Sequence, residues 1–349
     1  MLPADALYAH LTAAALHGLW LPAALPPAWS SAVHATWSST APATLIASTP
    51  TTQPRSAAHR NRRGVYVRRR TIPTQHHWQH AGVRLTSPAW TIAELAHDFA
   101  LVDLVVALDS ALHARLCSAA ELASVTVTGQ RGVRTLRRAV DLADGRSESA
   151  WETVLRLVHV LGGITDIEPQ RELRTPDGEL LARGDLWLRG TRRFAEYDGG
   201  VHREAAVHRR DLQRDRLLAR LSWERYGYTA VEIHREPQQI LADAEAALGL
   251  SHDPRRVEGW LAEYRLSSLS NPGAARLARR LVRSSDRIRR DAADPESAPA
   301  QASGALRAPS GAHPGSNHRR RPANAPQGER SRQAGRLSGR SAASRSGTW

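Results

Sequence analysis

No lysine occurs among the 349 residues, so all 48 basic side chains other than histidine are arginines. Any mechanism that needs a catalytic lysine is thereby excluded. Cys117 is the single cysteine, which excludes intrachain disulfides and cysteine-rich zinc sites and suits a reducing compartment. There is no run of ~18 continuous apolar residues, and the first residues lack the basic-then-apolar pattern of a signal peptide. A soluble, cytoplasmic protein is expected.

Charged residues are 23% and hydrophobic residues 41% of the chain, ordinary for a globular protein. The net charge of +14 points toward a polyanionic partner. Much of it sits in the Gly/Ser/Pro/Ala-rich tail, which has nine arginines from Ser297 to Trp349 against one acid, Glu329. Residues 291–349 are therefore expected to form a disordered basic tail. Arg55–Arg70 carries seven arginines and no acid, a run that either tracks phosphates or forms a solvated loop.

The hydrophobic period predicts a helix over Ala4–Leu21 and strands over Thr44–Thr49 and Gly64–Val67. Ser87 is a predicted N-cap followed by Pro88 at the first helical position. Ile92, Leu95, Ala96 and Phe99 make the buried stripe of that helix; Leu101–Leu116 is a second. Glu121–Val140 continues helical with a break at Gly129–Gly132.

At Ser147 the character changes. Trp151–Leu161 reads as an amphipathic helix ended by Gly162-Gly163. Strands are expected at Ile164–Ile167, from Leu173 to the Asp177-Gly178 turn, at Leu180–Leu188 and at Arg192–Asp198. A helix over Arg203–Tyr226 and a strand over Thr229–His234 follow, then helices at Gln238–Leu248 and Arg255–Leu266. The reading divides the chain into a mixed, mainly helical region at 1–145, an α/β sandwich domain at 146–250, C-terminal helices at 251–290 and the tail.

A tight reversal at Gly190-Thr191, with glycine first in a type II′ turn, sets a register. It places Trp187 opposite Phe194, Asp185 opposite Glu196 and Arg183 opposite Asp198, all on one side of the sheet. Directly opposed Cβ atoms lie roughly 4.5–5.5 Å apart, and like charges there repel. A divalent cation such as Mg²⁺ or Mn²⁺ relieves that repulsion and activates a water toward a phosphodiester. The alternative is a solvated pair neutralised by Arg183 or another arginine.

The ordered set Glu148-Ser149…Glu152…Arg156, Ala182-Arg-Gly-Asp185, Glu196-Tyr-Asp-Gly199, His202, Asp211, Arg214-Asp215 and Gly227-Tyr228 resembles an actinobacterial endonuclease-domain family. That family is similar to very-short-patch-repair endonucleases of the restriction-endonuclease-like PD-(D/E)XK superfamily. The resemblance covers about 90 residues. Upstream, Leu11-Thr-Ala-Ala-Ala-Leu-His-Gly-Leu19, Arg63-Gly-Val-Tyr66 and Leu85-Thr-Ser-Pro-Ala-Trp-Thr91 resemble the region that follows an AbiEi-type antitoxin winged helix. On that resemblance the chain begins where the winged helix ends, and the winged helix is expected to be missing. Trp90 departs from the arginine usual in the family.

The resemblance implies Asp185 and Glu196 as metal ligands, Glu152 as the holder of a metal-bound water and Asp198 as a third acid where the wider superfamily has lysine. His202 would be a general acid or phosphate contact, and Arg183 and Arg214 would touch nucleic acid. An ion-pair cluster of Asp211, Arg214 and Asp215 is the structural alternative. Two functions follow as expectations: a Mg²⁺-dependent DNA endonuclease, or a catalytically inactive DNA-binding or antitoxin-like regulator with a toxin partner.

Overall fold

The computed structural model describes residues 6–22, 72–126, 129–199 and 216–281, together with the backbone of strands at 43–48 and 65–70. It is a mixed α/β structure with two sheets. Strands β1 (Ala6–Tyr8), β2 (Ala43–Ser48), β3 (Val65–Arg70), β4 (His77–His80) and β5 (Val83–Thr86) form the first sheet, in the order β3-β2-β1-β5-β4. The predicted helix at Ala4–Leu21 shrinks to α1, His10–Leu16, because Ala6–Tyr8 pairs with both β2 and β5. Left-handed backbone at His10 (φ 53°) and Gly18 (φ 71°) brackets α1 on both sides.

Helix α2 (Pro88–Leu95) starts where expected. Ser87 Oγ accepts the Trp90 N–H, and Pro88 occupies the first turn, where its missing N–H is harmless. Helices α3 (Leu101–His113), α4 (Ala119–Val125) and α5 (Val133–Leu142) follow. In α4, Ser118 and Glu121 close a reciprocal capping box. The break between α4 and α5 ends on Gly132 (φ 78°), whose added Cβ would meet Ala96 O at 2.2 Å. Only glycine permits that approach.

The second half opens with α6 (Ala150–Leu161), capped by Ser149 and terminated at Gly162. Strands β6 (Ile167–Arg174), β7 (Leu180–Leu188), β8 (Arg193–Tyr197) and β9 (Glu224–Tyr228) form the second sheet in sequential order. The first three are antiparallel and β9 runs parallel to β8. Helices α7 (Ala230–Arg235), α8 (Pro237–Leu248) and α9 (Val257–Tyr264), and a further helical segment at 271–281, complete the described fold.

Most of the span expected as the last strand, Thr229–His234, is instead helical. The strand is Glu224–Tyr228 and the helix begins at Ala230, because Thr229 and Glu232 form a capping box that nucleates α7. The predicted helix over Arg203–Tyr226 is helical at 216–220; its earlier part lies outside the described residues, as does the basic tail.

One apolar cluster runs through both halves. Leu104 and Leu108 of α3, Leu136 of α5, Val154 and Val158 of α6, Leu186 and Leu188 of β7, Ile240 of α8 and Trp260 of α9 all belong to it. Burying such side chains contributes on the order of 1.5–3 kcal/mol each. Two buried acids add specific bonds across the same junction. Asp109 accepts from Asp144 N (2.7 Å), Thr153 Oγ1 (2.8 Å) and Arg156 Nη2 (2.7 Å). Asp103 accepts from the Ser267 and Ser268 hydroxyls at 2.7 and 2.8 Å.

Candidate functional site

The predicted pairs Trp187↔Phe194 and Leu188↔Arg193 are present. The turn between them is not the two-residue type II′ reversal. Pairing ends at Leu188↔Arg193, leaving a four-residue connection whose Thr191 N–H donates to Leu188 O (3.2 Å). Gly190 therefore stands third in a turn from Leu188 to Thr191, where its φ of 79° is required. The register is the same because the loop is lengthened symmetrically.

Side-chain facing departs from strict alternation. Ala182 shares a small apolar cluster with Phe194 and Leu218, and a Cβ on Gly184 would meet the Phe194 ring at 2.3 Å. Leu186 and Leu188 instead point into the main core. The face inverts between Gly184 and Leu186. Opposite the inversion, Gln170 has a left-handed φ of 54° and the β6–β7 register skips the Gln170/Asp185 position. Arg183 consequently does not share a side with Trp187. It reaches back to Glu148, just ahead of α6, at 2.7 Å.

Ladder pairing of β7 with β8 stops at Leu186↔Ala195, one step short of Asp185 and Glu196. The strands part there, and Asp185 Oδ2 fills the gap by accepting the Tyr197 N–H at 3.0 Å. Glu196 is 7% exposed and accepts from Arg225 Nη1 of β9 at 2.9 Å. Asp198 leaves the sheet with its own N–H on Tyr228 O (2.8 Å), beside Gly227. Tyr197 stacks on Trp151 with ring centroids 5.4 Å apart, and burial raises its pKa.

Glu152 occupies the first turn of α6. Its carboxylate accepts the Glu148 N–H (2.8 Å), the Ser149 hydroxyl (2.9 Å) and the Gln170 side-chain amide (2.7 Å). Burial raises its pKa, and those three bonds pull the other way. Its geometry is that of a helix cap that also ties α6 to the irregular point of β6. His202, Asp211, Arg214 and Asp215 lie outside the described residues.

Sequence reasoning missed Gln170 and Arg225, which hold Glu152 and Glu196. It also missed the role of Arg156, which pairs with Asp109. The available signal was a lone acid in the apolar run Val105–Leu112 and a lone arginine in Val154–Val158, two buried charges that require each other.

Residues 8–144 match the AbiEi antitoxin C-terminal domain. The matched segment contains the first sheet apart from Ala6 and Leu7 of β1, together with helices α1 to α5, and it ends ahead of the acidic strands. Two uncharacterized proteins from two strains of Mycobacterium tuberculosis are each 32% identical over 165 residues, 46% of this chain and 60% of their own length. The alignment thus spans less than two thirds of those relatives. No solved structure matches.

The AbiEi-like part has its own buried polar group. His10 Nε2 lies 3.1 Å from Asp98 Oδ2, and the His10 N–H donates to Glu94 Oε2 at 3.2 Å. All three residues are at most 1% exposed. No described helix is long and apolar enough to cross a membrane.

No three His, Cys, Asp or Glu side chains are grouped as ligands among the described residues. Glu152 is engaged by three donors, Glu196 by a guanidinium and Asp185 by a backbone N–H.

Proposed function

We propose that the chain is an antitoxin-like regulator: it binds a toxin partner and DNA without cutting either. The observation that carries this reading is the match of residues 8–144 to the AbiEi antitoxin C-terminal domain. Antitoxins of that kind act in toxin–antitoxin systems and bind DNA, and the excess positive charge of this chain suits a phosphate-bearing partner. The second half serves the first as a structural extension through the common core. Asp109, inside the matched segment, is satisfied by Thr153 and Arg156 beyond it.

Recovering the tagged full chain from its native host tests the reading. The expected result is a co-purified protein that arrests growth when expressed alone and is silenced by co-expression of this chain. Recovery of no such protein contradicts it.

A second reading, metal-dependent phosphodiester hydrolysis, is favoured by one specific observation. Continuing the β7–β8 register by one step sets Asp185 against Glu196. It requires release of the Asp185–Tyr197 and Glu196–Arg225 bonds on metal binding. Calorimetric titration with Mn²⁺ discriminates: one tightly bound ion that is lost in Asp185→Ala favours hydrolysis, and no binding excludes it.

A further inference from the structure

A cleft of about 320 Å³ opens where the end of α2, the first turn of α5 and the helical segment 271–281 meet. Arg131, Arg134 and Arg280 line it, with His97, Gly132 and Thr135 between them, and among the described residues no acidic side chain is part of its wall. Arg280 lies far outside the AbiEi-like segment, so the cleft is assembled jointly by the two halves of the chain.

One buried residue gathers two of these cations. Asp98 Oδ1 faces Arg131 Nη2 at 3.6 Å, and the Asp98 backbone carbonyl accepts from Arg280 Nη1 at 3.0 Å. The other carboxylate oxygen of Asp98 is turned to His10. Among the described residues, the Asp98 carboxylate, shared with a histidine, does not neutralise three guanidinium groups. Burial and the positive charges of Arg276 and Arg131 lower the pKa of Arg280, while Asp98 opposes them. Like charges crowded into a concave surface attract an anion.

The backbone adds to that field. Val133, Arg134 and Thr135, the first turn of α5, line the same cleft. The Val133 N–H donates to Gln130 O at 3.2 Å, and the positive dipole end of the helix favours an oxyanion. Gly132 lets that turn approach α2 closely enough to form the wall. Planar guanidinium forks match the paired oxygens of a phosphate better than a spherical anion.

We propose that this cleft binds a phosphate group, carried either by a small phosphorylated ligand or by a nucleic-acid backbone. The proposal stands on the cleft itself and does not depend on the regulator reading.

Titration calorimetry on the full chain at constant ionic strength, with inorganic phosphate as the probe, tests it. Saturable binding is expected, weakened about tenfold or more by Arg134→Gln, as befits loss of one charge-assisted bond. Arg134 is exposed and in no ion pair among the described residues, so its replacement leaves the fold intact. Arg280→Gln should act likewise, and Arg279→Gln, whose side chain is outside the cleft, should leave binding unchanged.

A mononucleotide and a short DNA duplex then separate the two sources. Duplex binding whose salt slope drops by about one in Arg134→Gln identifies the backbone of a nucleic acid. Tighter binding of the mononucleotide than of phosphate, with duplex binding insensitive to the substitution, identifies a small ligand. Absence of saturable phosphate binding, or equal affinity in the wild type and Arg134→Gln, overturns the proposal.

Discussion

Replacing Arg156 with methionine removes the guanidinium that faces Asp109 while preserving much of the packing volume. The pair is buried, with side chains 6% and 0% exposed and a 2.7 Å bond between them. In the variant, Asp109 retains the bonds from Asp144 N and Thr153 Oγ1 and loses the only one that brings a positive charge. Breaking a buried pair from one side costs about 3–5 kcal/mol, because the remaining charge is uncompensated. For a domain of this size that corresponds to a melting temperature lower by roughly 10 °C.

The loss should depend on pH. Burial already raises the Asp109 pKa from 3.8 to about 6, against the pull of Arg156. Without that arginine the folded-state value climbs further above the unfolded one. A carboxyl group with a raised folded pKa binds more protons folded than unfolded, so its contribution falls as pH increases through that window. The variant should therefore lose more stability at pH 8 than at pH 5. Urea unfolding followed by circular dichroism at both pH values measures it. Adding Asp109→Leu to the variant should restore most of the loss, since an apolar pair replaces a half-pair. A loss below about 1 kcal/mol, the scale of an exposed pair, would refute the reasoning.

Other perturbations have defined outcomes. His159 is buried with its pKa lowered to about 4 by desolvation, so it binds protons only when unfolded between that value and its ordinary 6.5. Stability should then fall by about 2 kcal/mol from pH 6.5 to pH 5, a slope that His159→Gln removes and urea midpoints reveal. Gly184→Ala drives a methyl group into the Phe194 ring and should lower stability by about 1–3 kcal/mol in thermal melts. Ser87→Ala deletes the cap of α2 and should lower it by about 1 kcal/mol in the same assay.

The parts of the fold readable from sequence are those whose signals are local. Ser87-Pro88 announces a helix start through cap chemistry, and the span of Leu180–Leu188 follows from its flanking turn residues. The Trp187–Phe194 pairing was legible because any symmetric lengthening of the loop preserves it. The facing of Arg183 was not. The face of β7 inverts between Gly184 and Leu186, opposite the left-handed Gln170 of the neighbouring strand, a non-glycine conformation that no residue pattern signals.

Glu152 shows a different limit. Its Ser-x-x-Glu spacing is that of a helix cap, yet the same acid also fits a catalytic motif, and the spacing does not announce the three donors that Glu152 accepts from. The arginine cleft joins Arg134 to Arg280 across long sequence separation, so periodicity carries no trace of it. The AbiEi-like resemblance was visible in Leu11–Leu19 and Leu85–Thr91, both within the segment that matches the antitoxin domain.

The most direct test of the regulator reading is gel electrophoresis of supercoiled plasmid incubated with the purified full chain and Mg²⁺ or Mn²⁺. Retarded but uncut plasmid, identical for the wild type and Asp185→Ala, is the predicted result. Metal-dependent nicking by the wild type that Asp185→Ala fails to produce would contradict it.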